Sequence, residues 1–138
     1  MKLRFTFLLI SSAIILSSCQ KIKYGDFLVH RINLKSFNAS TSTTTPSLYF
    51  KCEGPGVQDI SQNLTYFNPA VDLSFSTDFE GTRGGAKYTF TLLERISSGD
   101  KELATFTVDM GKFKGQDSFI IEESNITVQL GVNWEARW

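Results

Sequence analysis

The sequence predicts an all-β chain, a single antiparallel β-sandwich of about seven or eight short strands. Three observations predict it. Apolar and polar side chains alternate with period two from Phe27 onward, turn-forming residues recur at short intervals, and no segment beyond residue 26 keeps a helical period over ten residues. Strands with one apolar face each must bury those faces against one another, and two packed sheets accomplish this. A small closed barrel is the alternative.

The elements follow in order. Leu28, His30, Ile32 and Leu34 share one face of a first strand. Ser40 to Thr45 contains only serine and threonine and ends at Pro46, as an exposed loop does. Leu48, Phe50 and Cys52 then alternate with Tyr49, Lys51 and Glu53 until Gly54-Pro55-Gly56 stops the strand. A short strand around Asn63–Phe67 ends at the turn dipeptide Asn68-Pro69. Val71, Leu73 and Phe75 form the next apolar face, and Gly81–Gly85 a flexible turn. Tyr88, Phe90 and Leu92 lead through a Ser97-Ser98-Gly99-Asp100 hairpin into Ala104, Phe106, Val108 and Met110. Phe119–Ile121 is a brief apolar strand, and the last strand is the cleanest, with Ile126, Val128, Leu130, Val132 and Trp134 on one side.

Two stretches within this pattern resemble C2 domains. Pro46-Ser47-Leu48-Tyr49-Phe50-Lys51 is similar to the strand after the first calcium loop, and Asn68-Pro69-Ala70-Val71-Asp72-Leu73-Ser74-Phe75 to the Asn-Pro turn and following strand. The resemblance covers most of residues 27–134 and implies a C2-like sandwich; the domain is expected over 27–138, with a transthyretin-like sandwich as the other form. It does not imply a calcium site. Such sites draw six to eight oxygens from several aspartates on two loops, whereas Thr45 precedes Pro46 and Glu94, Arg95 and Ile96 stand near the second loop. No cofactor is expected.

The first 26 residues differ in character. Lys2 and Arg4 precede Phe5–Leu16, an apolar run too short to span a bilayer, which requires roughly 17–25 residues. The pattern fits a signal peptide over residues 1–18. Leu16-Ser17-Ser18-Cys19 resembles the lipobox of bacterial lipoprotein precursors, in which the cysteine thiol takes a diacylglyceryl group and becomes the new N-terminus. The resemblance implies lipidation at Cys19, a tether over 19–26, and membrane lipid as a partner through the acyl chains. Gln20 in place of aspartate implies the outer membrane, periplasmic face. The Phe-, Ser-, Lys- and Asn-rich composition resembles small lipoproteins of Bacteroidetes.

Cleavage would leave 120 of the 138 residues, enough for one domain. Lys2 and Arg4 would leave with the signal, so 12 basic side chains would face 14 acidic ones, net −2. With no basic stripe, nucleic acid is not an expected partner. Cys52, with Cys19 committed to lipid, has no disulfide partner and falls in phase with the core.

Residues that could carry chemistry are sparse. One histidine, His30, cannot make a zinc site with Cys52, and neither CxxC nor HExxH spacing occurs. A Cys52–His30 nucleophilic pair would require neighbouring strands. Asp72, Asp78 and Glu80 cluster near one turn, while the adjacent Glu122 and Glu123 would point to opposite faces of a strand. Glu80-Gly81-Thr82-Arg83-Gly84-Gly85 has the glycines of an anion loop without the helix that would supply a dipole. The expectation is a non-enzyme.

The expected function is a membrane-anchored binding or scaffold module of the bacterial cell envelope, contacting an envelope protein. Small lipoproteins of type VI secretion membrane complexes resemble this arrangement. Candidate contacts are Ser40 and Thr45, bounding the hydroxyl loop, the aromatics Tyr66 and Phe67, Arg83 in the glycine turn, and the terminal Trp138. The alternative is a glycan- or lipid-binding lipoprotein that uses Trp134 or Trp138 as a stacking platform.

Overall fold

A 15-residue strand, β1 (Lys23–Phe37), begins four residues earlier than the alternation announces. It lies at the centre of one sheet in the computed structural model, which describes residues 23–66 and 72–137. The tether expected over 19–26 therefore gives Lys23–Asp26 to β1, where Lys23 and Tyr24 pair with Arg137 and Ala136. The expected signal peptide, Cys19, Phe67, the Asn68-Pro69 turn, Val71 and Trp138 lie outside the described residues.

Eight further strands follow: β2 (Ser47–Gly54), β3 (Val57–Ile60), β4 (Leu64–Thr65), β5 (Leu73–Gly81), β6 (Lys87–Ile96), β7 (Gly99–Asp109), β8 (Ser118–Glu123) and β9 (Ile126–Arg137). One 3-10 turn, Met110–Phe113, carries the chain from β7 towards β8. The first sheet has the order β5-β1-β9-β8 and the second β3-β2-β6-β7, with β4 pairing the start of β2. All pairings are antiparallel. Each sheet keeps its own edges, so the architecture is the sandwich and not the closed barrel.

Among the described residues nine strands appear where about seven or eight were expected, because β3 carries almost no core signal. Three of its four side chains are exposed, Ile60 among them at 52%. The strand expected around Asn63–Phe67 shrinks to Leu64–Thr65. Between β3 and β4 the ladder is carried by a side chain. Ser61, buried, donates its N–H to the Phe50 carbonyl at 2.8 Å and accepts the Phe50 N–H on its hydroxyl at 2.8 Å.

The two inner faces meet in an aromatic-rich core. Leu48, Phe50 and Cys52 point inward from β2, Tyr88, Phe90 and Leu92 from β6, and Ile126, Val128, Leu130 and Val132 from β9, all at most 2% exposed. Phe50 meets Phe75 across the sheets edge to face, at 5.0 Å between ring centres. Phe90 stacks on its cross-strand partner Phe106 at 5.3 Å. Such pairs add about 0.5–1.5 kcal/mol beyond area burial.

One face assignment is corrected. Phe27 and Val29 point inward at the start of β1 but Ile32 and Leu34 do so after it, because the register with both neighbours shifts between Val29 and Arg31. The extra residue at this bulge is His30, and it exchanges odd for even positions. Leu28 and His30 are thus half-buried and do not share the core face of Ile32 and Leu34. His30 lies over Gly131, where a Cβ would come within 3.0–3.2 Å of its ring.

Candidate functional site

The strand directions give the sandwich two ends. One holds the start of β1, the end of β9, the Gly54–Gly56 turn and the Thr82–Ala86 loop. The opposite end holds the 38–46 loop, the Ser97–Ser98 turn and the Ser124–Asn125 turn. The candidate residues divide between them. Ser40 and Thr45 are exposed at the far end, with Tyr66 close by, and Arg83 is exposed at the near end.

The hydroxyl loop at the far end has no large apolar side chain to bury, so polar contacts hold it. The Asn38 N–H donates to the Asn125 carbonyl at 2.9 Å, and Lys101 Nζ to the Ser40 carbonyl at 2.7 Å. Thr41 Oγ1 donates to the Thr43 carbonyl at 2.6 Å, and the Tyr66 N–H to the Pro46 carbonyl at 2.9 Å. The Ser42 N–H is shared by both carboxylate oxygens of Glu94, at 2.8 and 3.0 Å. Glu94 is 1% exposed, a carboxylate at an inward position of β6. Tyr66 is half-buried at the core edge, its ring 5.3 Å from that of Phe37.

Between this loop and the β6–β7 turn lies an open cavity of about 530 Å³. Glu94, Arg95, Ile96 and six serines and threonines, Thr45 among them, line it. Arg95 turns its guanidinium over the Tyr49 ring, 4.9 Å from the centre, and the Tyr49 hydroxyl donates to the Asp100 carboxylate. Burial and then the Asp100 hydrogen bond raise the Tyr49 phenol above its usual range.

Aromatics close the near end. Tyr88 meets Phe27 edge to face at 4.8 Å. Its hydroxyl donates to the Pro55 carbonyl at 2.8 Å and accepts the Arg83 N–H at 3.1 Å. Gly54 and Gly81 leave room for these rings, since a Cβ at Gly54 would overlap Tyr88 and one at Gly81 would overlap Phe27. Burial raises the Tyr88 phenol as well. Arg83 takes no part in the ion pairs among the described residues, which are Lys35–Asp72 and Lys51–Glu53. Trp134 is half-buried, 5.5 Å from Phe27, and its indole N–H donates to the Gln116 carbonyl at 2.9 Å.

The other chemical candidates are kept apart. Cys52 is fully buried on β2, and burial pushes its thiol up to about 12, with Glu53 and Asp59 adding to the shift. His30 lies in the other sheet, on the outer side over Gly131. The two cannot form a nucleophilic pair, because the core and a sheet separate them. Asp72 is ion-paired with Lys35 at 3.1 Å, away from Asp78 and Glu80, which share an open groove of about 300 Å³ with Asp59. Among the described residues no three His, Cys, Asp or Glu side chains converge as metal ligands. Sequence reasoning missed Lys101 and the Tyr49–Arg95–Asp100 cluster. It also passed over Glu94, although the phase of that residue with Tyr88, Phe90 and Leu92 is a signal that could have found it.

No protein-family model matches the chain, and no curated protein matches it. The fold is similar to a solved structure of CC2D1B, described as coordinating ESRCT-III activity during the mitotic reformation of the nuclear envelope. The TM-score is 0.52 at 11% identity, over 82% of this chain and 55% of that one, so the likeness spans about half of the CC2D1B chain. At that identity it speaks for fold alone. The fold is a C2-like β-sandwich.

Proposed function

We propose that this chain is a lipoprotein of the bacterial cell envelope, acylated at Cys19, and that its sandwich is a non-catalytic module that docks or steadies another envelope protein. Membership of a secretion-type membrane complex is the narrower form of the same proposal, and the periplasmic face of the outer membrane is the proposed location. The observation that carries it is the start of β1 at Lys23, which leaves only Gln20, Lys21 and Ile22 between the sandwich and Cys19. Four Cα steps reach at most roughly 14 Å, at ~3.3–3.6 Å each. A body on so short a leash stays at the bilayer and presents its opposite end, the 38–46 loop, to whatever it meets.

The burial of Cys52 and its separation from His30 support a non-catalytic role, as does a far-end loop held in place by side chains. The glycan-stacking alternative gains no such support from Trp134, whose ring is partly covered by the core. A palmitate analogue fed to cells should label the wild-type chain and not Cys19→Ser. Crosslinking from membranes should capture a discrete partner with the wild type and lose it with Cys19→Ser. Absence of label on the mature wild-type chain would remove the anchor and the proposal with it.

A further inference from the structure

We propose that the cavity between the 38–46 loop and the Ser97–Ser98 turn seats a protonated amine or guanidinium, supplied by a lysine or arginine side chain of the partner protein. The inference deepens the scaffold reading above and rests on it for the nature of the partner. It starts from Glu94. Glu94 lines the cavity, is 1% exposed, and takes one backbone N–H shared between its two carboxylate oxygens. A carboxylate offers about four acceptor sites. A single shared donor leaves most of them unfilled, and a buried carboxylate without matching donors or charge is destabilising.

The resident cations do not match it. Lys101 stands opposite Glu94 in the β6–β7 register, but its Nζ is given to the Ser40 carbonyl. Arg95, the next residue along β6, lies over the Tyr49 ring, in the cluster that Asp100 completes. Neither of the ion pairs among the described residues includes Glu94.

The rest of the lining fits a donor-only ligand. Ser42, Thr43, Thr45, Ser47, Ser97 and Ser98 line the same cavity, and their hydroxyls can accept as well as donate. An ammonium brings three donors and a guanidinium five, with no acceptor to satisfy, so the carboxylate takes the charge-assisted bonds and the hydroxyls the remainder. Calcium fits poorly, since it requires six to eight oxygens with several carboxylates and this cavity holds one. The cavity lies at the end opposite the start of β1, where a partner side chain can enter.

The test is an ¹⁵N-NMR titration of the full chain as cells make it, held in zwitterionic micelles. The probes are blocked Gly-Arg-Gly and Gly-Lys-Gly peptides, with Gly-citrulline-Gly as the neutral isostere. Both cationic peptides should shift the Ser42, Ser97 and Ser98 amides with millimolar midpoints, and citrulline should bind roughly tenfold or more weakly. Glu94→Gln should weaken the arginine peptide by a similar factor. Its amide oxygen can still accept the Ser42 N–H, so the Ser42 resonance of the free protein should stay near its wild-type position. No shift with either cationic peptide, equal binding of citrulline, or undiminished binding by Glu94→Gln would overturn the proposal. So would a response of these amides to calcium ions or maltose in place of the cations. The titration needs neither acylation nor a partner, so its failure is distinct from failure of the Cys19 pull-down.

Discussion

Tyr88→Phe removes a single oxygen, and the structure sets what that oxygen is worth. The ring is fully buried against Phe27 and keeps its place in the variant, so no cavity opens. What is lost is the partner of the Arg83 N–H and the shortest hydrogen bond to the Pro55 carbonyl. That carbonyl retains two longer contacts, from the Thr82 N–H and hydroxyl, each at 3.4 Å. The Arg83 N–H has no such reserve, and an unsatisfied donor of this kind costs about 1–3 kcal/mol. For roughly 115 residues at ~2.1 cal/mol/K each, the unfolding entropy is ~0.24 kcal/mol/K, so Tm should fall by about 4–12 °C. Thermal melts followed by far-ultraviolet circular dichroism measure this. Thr107→Val, on the exposed outer face, serves as a control expected within about 0.5 kcal/mol of wild type. Faster amide exchange at Arg83 should accompany the loss of stability. A fall of less than about 2 °C with unchanged Arg83 exchange would mean that water satisfies the turn, and the reasoning would fail.

Two further expectations test the core and the near end. The Cys52 thiol, raised from 9.0 to about 12 by burial, binds its proton more tightly in the folded than in the unfolded chain. Its contribution is therefore fully present below about pH 9 and is lost as pH rises towards 12. Urea midpoints should drop between about pH 8 and pH 10.5, less steeply in Cys52→Ala. Tyr49 and Tyr88, also raised, keep part of the slope in that variant. Iodoacetamide near neutral pH should modify Cys52 only in denaturant, and rapid native-state alkylation would contradict the burial. Gly81→Ala places a methyl group against Phe27, with the Tyr88 hydroxyl 2.9 Å away, and overpacking of this kind costs about 1–3 kcal/mol. A urea midpoint equal to wild type would show that Phe27 moves aside freely.

Where strands run without interruption, the pattern of side chains was enough to read them. β2, β6 and β9 bury the residues that alternation selects, down to Trp134 at the end of the apolar row. β1 defeats the same reasoning at one residue. Parity carries the face assignment, and the bulge at His30 changes parity without a glycine or proline to mark it. β3 is invisible for a different reason, since an exposed edge strand has no apolar face to announce it.

The far-end site shows the same division. Glu94 could be found because an acidic residue at an inward position calls for a partner, and a count back from the Ser97–Ser98 turn pairs it with Lys101 before the β6–β7 register shifts between Leu92 and Leu93. What no such count gives is that Lys101 Nζ turns to the Ser40 carbonyl. Tyr49 sits at an outward position yet is only 5% exposed, because Arg95 lies over its ring and Asp100 takes its hydroxyl. Burial of that kind depends on side-chain direction across three strands. No periodicity in one strand encodes it.

These features give the proposed anchoring a mechanical consequence. β1 runs the length of the first sheet, and 15 residues at ~3.3 Å each span about 50 Å. Were Cys19 acylated as proposed, three residues would separate it from Lys23, and the length of β1 rather than a flexible linker would set the height of the far-end cavity above the bilayer. β1 is paired on both sides, by β5 and β9, and so is held within its sheet. The contacts from Lys101, Glu94 and Asn125 in turn hold the loop rigid relative to that strand. A partner meeting this surface would find it at a fixed distance from the membrane with its loop already ordered, so little conformational entropy is lost on docking. A short leash, which limits the search, then favours a standing contact within an assembly over capture of a ligand at a distance.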